Sequence, residues 1–184
     1  MPALAQLWLR SAMAGFAPLL PPGYRFPPAH EVENRIAGIV SDKGIGVLVA
    51  DTPGRASGYI AYSASRDADA VGPVGEVRTL FVDPSGWSRG VGSALLRRAL
   101  AELGARGFTE ATVWSFAANR RANGLYEKHG LRLDGATRRQ SSWANIEQVR
   151  YRLSLEGAPR KERSRSTTQS PLLTSCLSVK RTTV

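Results

Sequence analysis

The chain has 184 residues, 42% of them hydrophobic, a formal charge of +10 and one cysteine, Cys176. That suits one domain with a real apolar core, and it excludes fibres, repeat arrays, an intrachain disulfide and a thiolate metal site. Arg10 and the prolines at 18, 21 and 22 interrupt the N-terminal apolar stretch, and no basic leader precedes it, so neither a membrane helix nor a signal peptide is expected, and a reducing, cytoplasmic setting is.

Residues 3–16 carry Leu4, Leu7, Trp8 and Met13 near helical spacing, which predicts a first helix closed by the proline-rich stretch 17–28. A second helix is predicted over 31–44, with Val32, Ile36, Ile39 and Val40 on one face and Gly44 near its end. Residues 46–51 and 57–65 read as two strands of a hairpin, with Pro53 and Gly54 in the turn. The acidic segment 66–75 reads as a loop; Asp67 and Asp69 would attract a cationic amine, although two acids on a loop are usually just solvated. Residues 76–82 alternate, which predicts a strand with Val77, Thr79 and Phe81 on one face and Glu76, Arg78, Leu80 and Val82 on the other.

Three glycines then lead into the most secure helix. Leu95, Leu96, Ala99, Leu100 and Leu103 fall on one arc of about 140°, and Gly104 and Gly107 end it. A strand over 110–116, a helix over 119–129 stopped by Gly130, and strands over 131–139 and 146–155 complete the ordered part. Interleaved helices and strands predict a mixed sheet covered by helices. Half of the net charge falls on residues 157–184, a segment rich in Ser and Thr and without an aromatic residue. That composition predicts a solvated, disordered extension, and placing so much charge there weakens the case for a nucleic-acid partner.

The stretch 81-FVDPSGWSRGVGSALLRRAL-100 is a strand end, a glycine-rich turn and a helix start, a general arrangement for binding an anion on unpaired N–H groups. A tight turn with no ligand is the plainer reading. The lysine of a P-loop is missing, because Ser93 and Ala94 follow Gly92. A dinucleotide fold would need a third glycine where Leu95 stands and an acid where the next strand ends at Ser115 and Phe116.

Read together with ANRRANGLYEKHGLRLDG some 30 residues on, VDPSGWSRGVGSALL closely resembles the GNAT superfamily of acyl-CoA-dependent N-acyltransferases. Gly90 and Gly92 match the glycines of its loop motif; Asn119, Ala122, Leu125, Tyr126, Glu127, Lys128 and Gly130 match its second motif. The resemblance is sharp over 76–135, looser over 3–65 and absent from the tail. It implies a single α/β domain over 1–156 with a mixed, mostly antiparallel sheet flanked by helices, in which the strand ending at Val82 splays from 110–116.

The resemblance also implies the activity: acetyl transfer from acetyl-CoA to a primary amine by direct attack, with no metal. Arg89, Gly90, Val91, Gly92 and Ser93 would offer backbone N–H groups to the CoA pyrophosphate, and Leu80, Phe81 and Val82 would pair with the pantetheine amides. Tyr126 matches a general acid and Asn119 a position that contacts the cofactor and fixes the helix. Glu76 matches a base that acts directly or through water; its plainer reading is a solvated strand-end carboxylate paired with Arg78. The rivals are a CoA-binding or interaction module without turnover and a basic nucleic-acid-associated protein.

Two departures from the family pattern stand out. Trp87 and Ser88 occupy loop positions that usually hold Gln or Arg and then Gly, so Trp87 would cover the loop, stack on adenine or do neither. The chain starts at the helix where relatives usually have a strand first, which would leave a sheet edge open to pairing, including a homodimer.

Overall fold

The computed structural model describes residues 2–52, 55–155 and 178–181. Its elements run α1 (Pro2–Phe16), α2 (Ala29–Ser41), β1 (Gly46–Thr52), β2 (Arg55–Ala64), β3 (Val74–Val82), α3 (Val91–Ala105), β4 (Glu110–Phe116), α4 (Arg120–Lys128), β5 (Arg132–Arg139), β6 (Glu147–Ser154) and β7 (Ser178–Arg181). The strands form one sheet in the order β5-β6-β4-β3-β2-β1-β7. Among the described residues the only parallel pair is β3 with β4. The expected mixed, mostly antiparallel α/β domain is therefore present, with helices on both faces.

Helix α1 buries Leu4, Leu7, Trp8, Ser11 and Ala12, the i, i+3, i+4, i+7, i+8 stripe of an amphipathic helix. Met13, grouped with that stripe from its spacing, falls one residue beyond it and is 55% exposed. Helix α2 starts after Pro28 and stops at Ser41, short of the expected Gly44, because Asp42 turns extended and its carboxylate accepts the Gly44 N–H at 2.8 Å. Together α1 and α2 enclose one core layer with Tyr59 and Phe81; α3 encloses the other with Leu48, Ile60, Val77 and Tyr126. Trp8, Phe16, Phe81, Phe116 and Trp143 pack ring on ring in the first layer, with centroids 5.0–6.2 Å apart.

Strand β3 departs from the expected alternation. Its pairing with β2 shifts between Ala61↔Thr79 and Tyr62↔Val77, which leaves Arg78 as an extra residue in a bulge. One inserted residue flips the parity of every side chain beyond it. Val77 and Phe81, predicted on one face, consequently lie in opposite core layers, and Leu80 and Val82 join Val77 against α3. Pairing of β3 with β4 ends just before the bulge, at Val77↔Val113. From Arg78 onward the two strands part, as the splayed arrangement requires.

No helix among the described residues is long and apolar enough to cross a membrane. Of the segment 157–184, expected to be a disordered extension, the described part is β7, which pairs antiparallel with Leu48–Asp51 of β1; the rest lies outside the described residues. The β1 edge expected to lie open thus carries a strand from the other end of the chain. Removing residues 178–184 strips that edge of its partner and should make the chain associate more strongly with rising concentration than the untruncated chain does, measured by light scattering after size exclusion. A truncated chain that associates no more than the untruncated one at any concentration would show that the edge needs no cover.

Candidate active site

A cavity of about 370 Å³ opens beside the splayed end of β3, walled by Leu80, Phe81 and Val82 on one side and by α4 on the other, with the start of α3 at its end. Gly90 caps α3 with φ +85°, a left-handed conformation that glycine adopts without strain. The first intrahelical bond is Ala94 N–H to Gly90 C=O at 2.9 Å, so the N–H groups of Val91, Gly92 and Ser93 have no partner within the helix. The Arg89 N–H is already spent on Gly86 C=O at 3.4 Å, and its side chain is exposed. A Cβ on Gly92 would meet Leu125 at 3.2 Å, so this glycine lets α4 close on α3 as well as bordering the cavity.

The turn before α3 is braced by Asp83. Burial would raise its pKa, but hydrogen bonds from Ser85 and Arg10 outweigh that and hold it at about 2. Arg10 and Arg55 reach the same carboxylate at 2.9 and 2.7 Å, which pins α1 and β2 to the turn. Asp83 N–H donates to Ser57 C=O at 2.9 Å, so by antiparallel alternation Phe81 and Thr79 bond toward β2. Leu80 and Val82 then turn their peptide groups toward the gap.

Trp87 is a built part of this wall. Its Nε1–H donates to the Val82 carbonyl at 2.9 Å, and the Arg121 guanidinium lies 3.6 Å from its ring centroid. The indole takes one carbonyl that an extended ligand would otherwise meet, and through Arg121 it places a cation beside the orphan N–H groups.

A second cavity, of about 300 Å³, adjoins the first; Leu80, Phe81, Asn119, Ala122 and Tyr126 line both. Tyr126 is 5% exposed, and its hydroxyl makes no hydrogen bond among the described residues. Burial, with Tyr151 beside it, raises its pKa, so it is a neutral phenol and a donor. Asn119 is the N-cap of α4, its Oδ1 accepting the Ala122 N–H at 3.2 Å, and Asn123 Nδ2 donates to Ala117 C=O at 3.0 Å. These two side chains hold the start of α4, about two turns before Tyr126, against the end of β4.

Glu76 lines the second cavity and is 3% exposed, so it is not a solvated strand-end carboxylate. Its partner is not Arg78 but Arg66, whose Nε and Nη2 lie 3.4 Å away. Asp67 and Asp69 are spent elsewhere: Arg150 bonds Asp67 at 3.0 Å and Asp69 at 2.6 Å, and Trp114 Nε1–H donates to Asp67 at 3.0 Å. Neither is left to draw in an amine. The sequence singled out none of Arg66, Arg138 or Gln148 as a cavity residue, although all three line it. No local pattern marks them, because they come from a loop and two strands that meet only in the folded sheet.

The profile of the Acetyltransferase (GNAT) family matches residues 10–131. An uncharacterized N-acetyltransferase of Archaeoglobus fulgidus is 30% identical over 110 residues, 59% of this chain and 75% of that protein. Mycothiol acetyltransferase of Clavibacter michiganensis is 33% identical over 102 residues, 55% of this chain but only 31% of that protein. Among solved structures, yncA of Salmonella typhimurium with its cofactor acetyl-CoA aligns with a TM-score of 0.61 at 19% identity, covering 87% of this chain and 94% of that one. At that identity the likeness concerns the fold alone.

Proposed function

Because the chain belongs to the Acetyltransferase (GNAT) family, and is therefore an acyltransferase, we propose that it moves an acetyl group from acetyl-CoA to a primary amine, with Glu76 as base and Tyr126 as acid. The observation that carries this reading is the meeting of two cavities at one unpaired phenol: an anion-binding groove on one side, a buried carboxylate on the other.

The residues present fit acetyl-CoA. Val91, Gly92 and Ser93 N–H groups, with Arg121 nearby, suit the pyrophosphate; the peptide groups of Leu80 and the N–H of Val82 suit the pantetheine amides, the Val82 carbonyl being taken by Trp87. When bound, acetyl-CoA supplies an acetyl group activated as a thioester. Glu76 takes a proton from the incoming ammonium, so that the amine lone pair is free to attack the carbonyl carbon. The C–N bond forms, the C–S bond breaks, and Tyr126 gives its proton to the departing sulfur. The attacking nitrogen sheds two protons in all; one ends on the thiol through Tyr126 and the other leaves through Glu76. Peptide N–H groups of β3 that face the gap are available to the developing oxyanion.

The test is thiol release from acetyl-CoA over a panel of primary amines and peptide N-termini. At neutral pH, Glu76→Gln should lower kcat/KM about a hundredfold, and raising the pH should recover part of the loss because the amine then deprotonates in solution. CoA affinity stays the same. A Gln variant as fast as the parent would remove Glu76 from the chemistry. Saturable CoA binding with no turnover on any amine would favour the non-catalytic module.

A further inference from the structure

The second cavity says something about the acceptor. It holds one carboxylate, Glu76, and four arginines, Arg35, Arg66, Arg78 and Arg138. Arg66 is occupied with Glu76. Arg138 donates to Gln148 Oε1 at 2.7 Å, pairs with Asp67 at 4.0 Å and stacks over Trp114 at 4.1 Å. Arg78 is half-buried and makes no hydrogen bond or salt bridge among the described residues.

A half-buried guanidinium with no hydrogen bond or contact ion pair has lost water and gained only the longer-range pull of Glu76 and Asp42 in return. Burial, and after it the Arg66 charge, weaken the hold of Arg78 on its proton. Burial also lowers the pKa of Arg138; Asp67 and Glu76 oppose this, and Arg66 and Arg150 add to it. Of the nearby acids, Asp69 is tied to Arg150, and Asp67 is shared between Arg150 and Arg138, which leaves neither for Arg78. An amine whose only charge is its ammonium would enter a cavity with an excess of its own sign. An amine that brings an anion would not.

Resting on the acetyl-transfer reading, we propose that the acceptor is a small zwitterion, a primary amine with a carboxylate a few bonds from its nitrogen, whose carboxylate is received by Arg78 and whose ammonium is received by Glu76. Glu76 and Arg78 share a face as residues i and i+2 of one strand. Arg78 is the residue that β2 leaves unmatched, two positions after Glu76 on the same strand, and both line the cavity. The guanidinium offers paired N–H donors to a carboxylate. The two charges of the ligand thus find opposite charges in one cavity, and the nitrogen is held on the side where a base can take its proton.

The experiment uses the full chain loaded with CoA and matched ligands: phenylalanine against phenethylamine and phenylalaninamide, and leucine against isoamylamine. Calorimetry should show the carboxylates binding about tenfold or more tighter than their counterparts without a carboxylate, as a charge-assisted pair predicts. In Arg78→Gln that preference should fall about tenfold, and Arg78→Lys should restore part of it. Equal binding of the matched ligands by the parent, a preference for phosphoethanolamine over every carboxylate, or an identical loss for both members of each pair in Arg78→Gln would overturn the proposal. Thiol release with the same ligands separates the two readings. Carboxylate-selective binding without turnover sinks acetyl transfer and keeps the zwitterion site, whereas turnover of amines without that selectivity does the reverse.

Discussion

Tyr126→Phe should slow turnover roughly a hundredfold while CoA affinity stays within about twofold. The substitution removes one oxygen and keeps the ring that packs 5.7 Å from Tyr151 in the core. Because the hydroxyl has no hydrogen-bond partner among the described residues, its loss strands no buried group, and stability should hold. A side chain this buried would ordinarily find a partner for its O–H, so a phenol left unpaired at the junction of two cavities is poised for a ligand atom. Its raised pKa keeps it protonated throughout the working range, so it gives a proton and does not take one. Single-turnover measurement of thiol release separates the chemical step from binding. Equal rates for variant and parent would remove Tyr126 as the acid, and a matched fall in CoA affinity would make it a wall of the groove only.

The part of the site built from consecutive residues was legible in the sequence. Gly90, Gly92 and the apolar arc of α3 follow from short-range chemistry, and Asn119 with Ala122 fixes α4 through a cap that spans three residues. The order of elements followed in the same way. The bulge at Arg78 could not be read, because it depends on how β2 registers against β3; the plain period of two therefore put Val77 and Phe81 together. The fate of Asp67 and Asp69 was hidden for a related reason. Their partner, Arg150, lies more than 80 residues away, and a loop with two acids looks the same in sequence whether its charges are solvated or buried against a cation. Strand β7 shows the same limit: a four-residue strand in a polar, basic segment carries no periodic signal, and only the β1 edge gives it a place.

Arg150→Met should be the most damaging substitution to stability, costing roughly 3 kcal/mol and lowering Tm by about 6–12 °C for a chain of this size. The Arg150 side chain is 5% exposed and contacts three carboxylates: Asp69 at 2.6 Å, Asp134 at 2.7 Å and Asp67 at 3.0 Å. Met fills much of the volume but leaves two of those carboxylates, 13–14% exposed, with weaker company. The loss stays at the lower end of the range for broken buried pairs because Arg152 still reaches Asp134 at 3.0 Å and Trp114 still donates to Asp67. Acid titration gives an independent check. The hydrogen bond from Arg150 holds Asp69 at about 2, and Asp134 is also depressed: burial opposes this, but the Ala136 N–H, Arg152 and Arg150 prevail. Such groups bind protons more readily unfolded than folded, so their stabilisation is complete above the ordinary aspartate value near 4 and drains away as pH falls toward 2. Without Arg150 that part of the acid profile should flatten, because the folded values of Asp69 and Asp134 move back toward the unfolded ones. The damage should also reach function, since Asp67, held by Arg150, lies beside Arg66 in the loop that meets Glu76. The expected signature is a raised KM for the amine with CoA affinity retained. A variant as stable as the parent with an unchanged acid profile would show that the three aspartates hold the loop without Arg150.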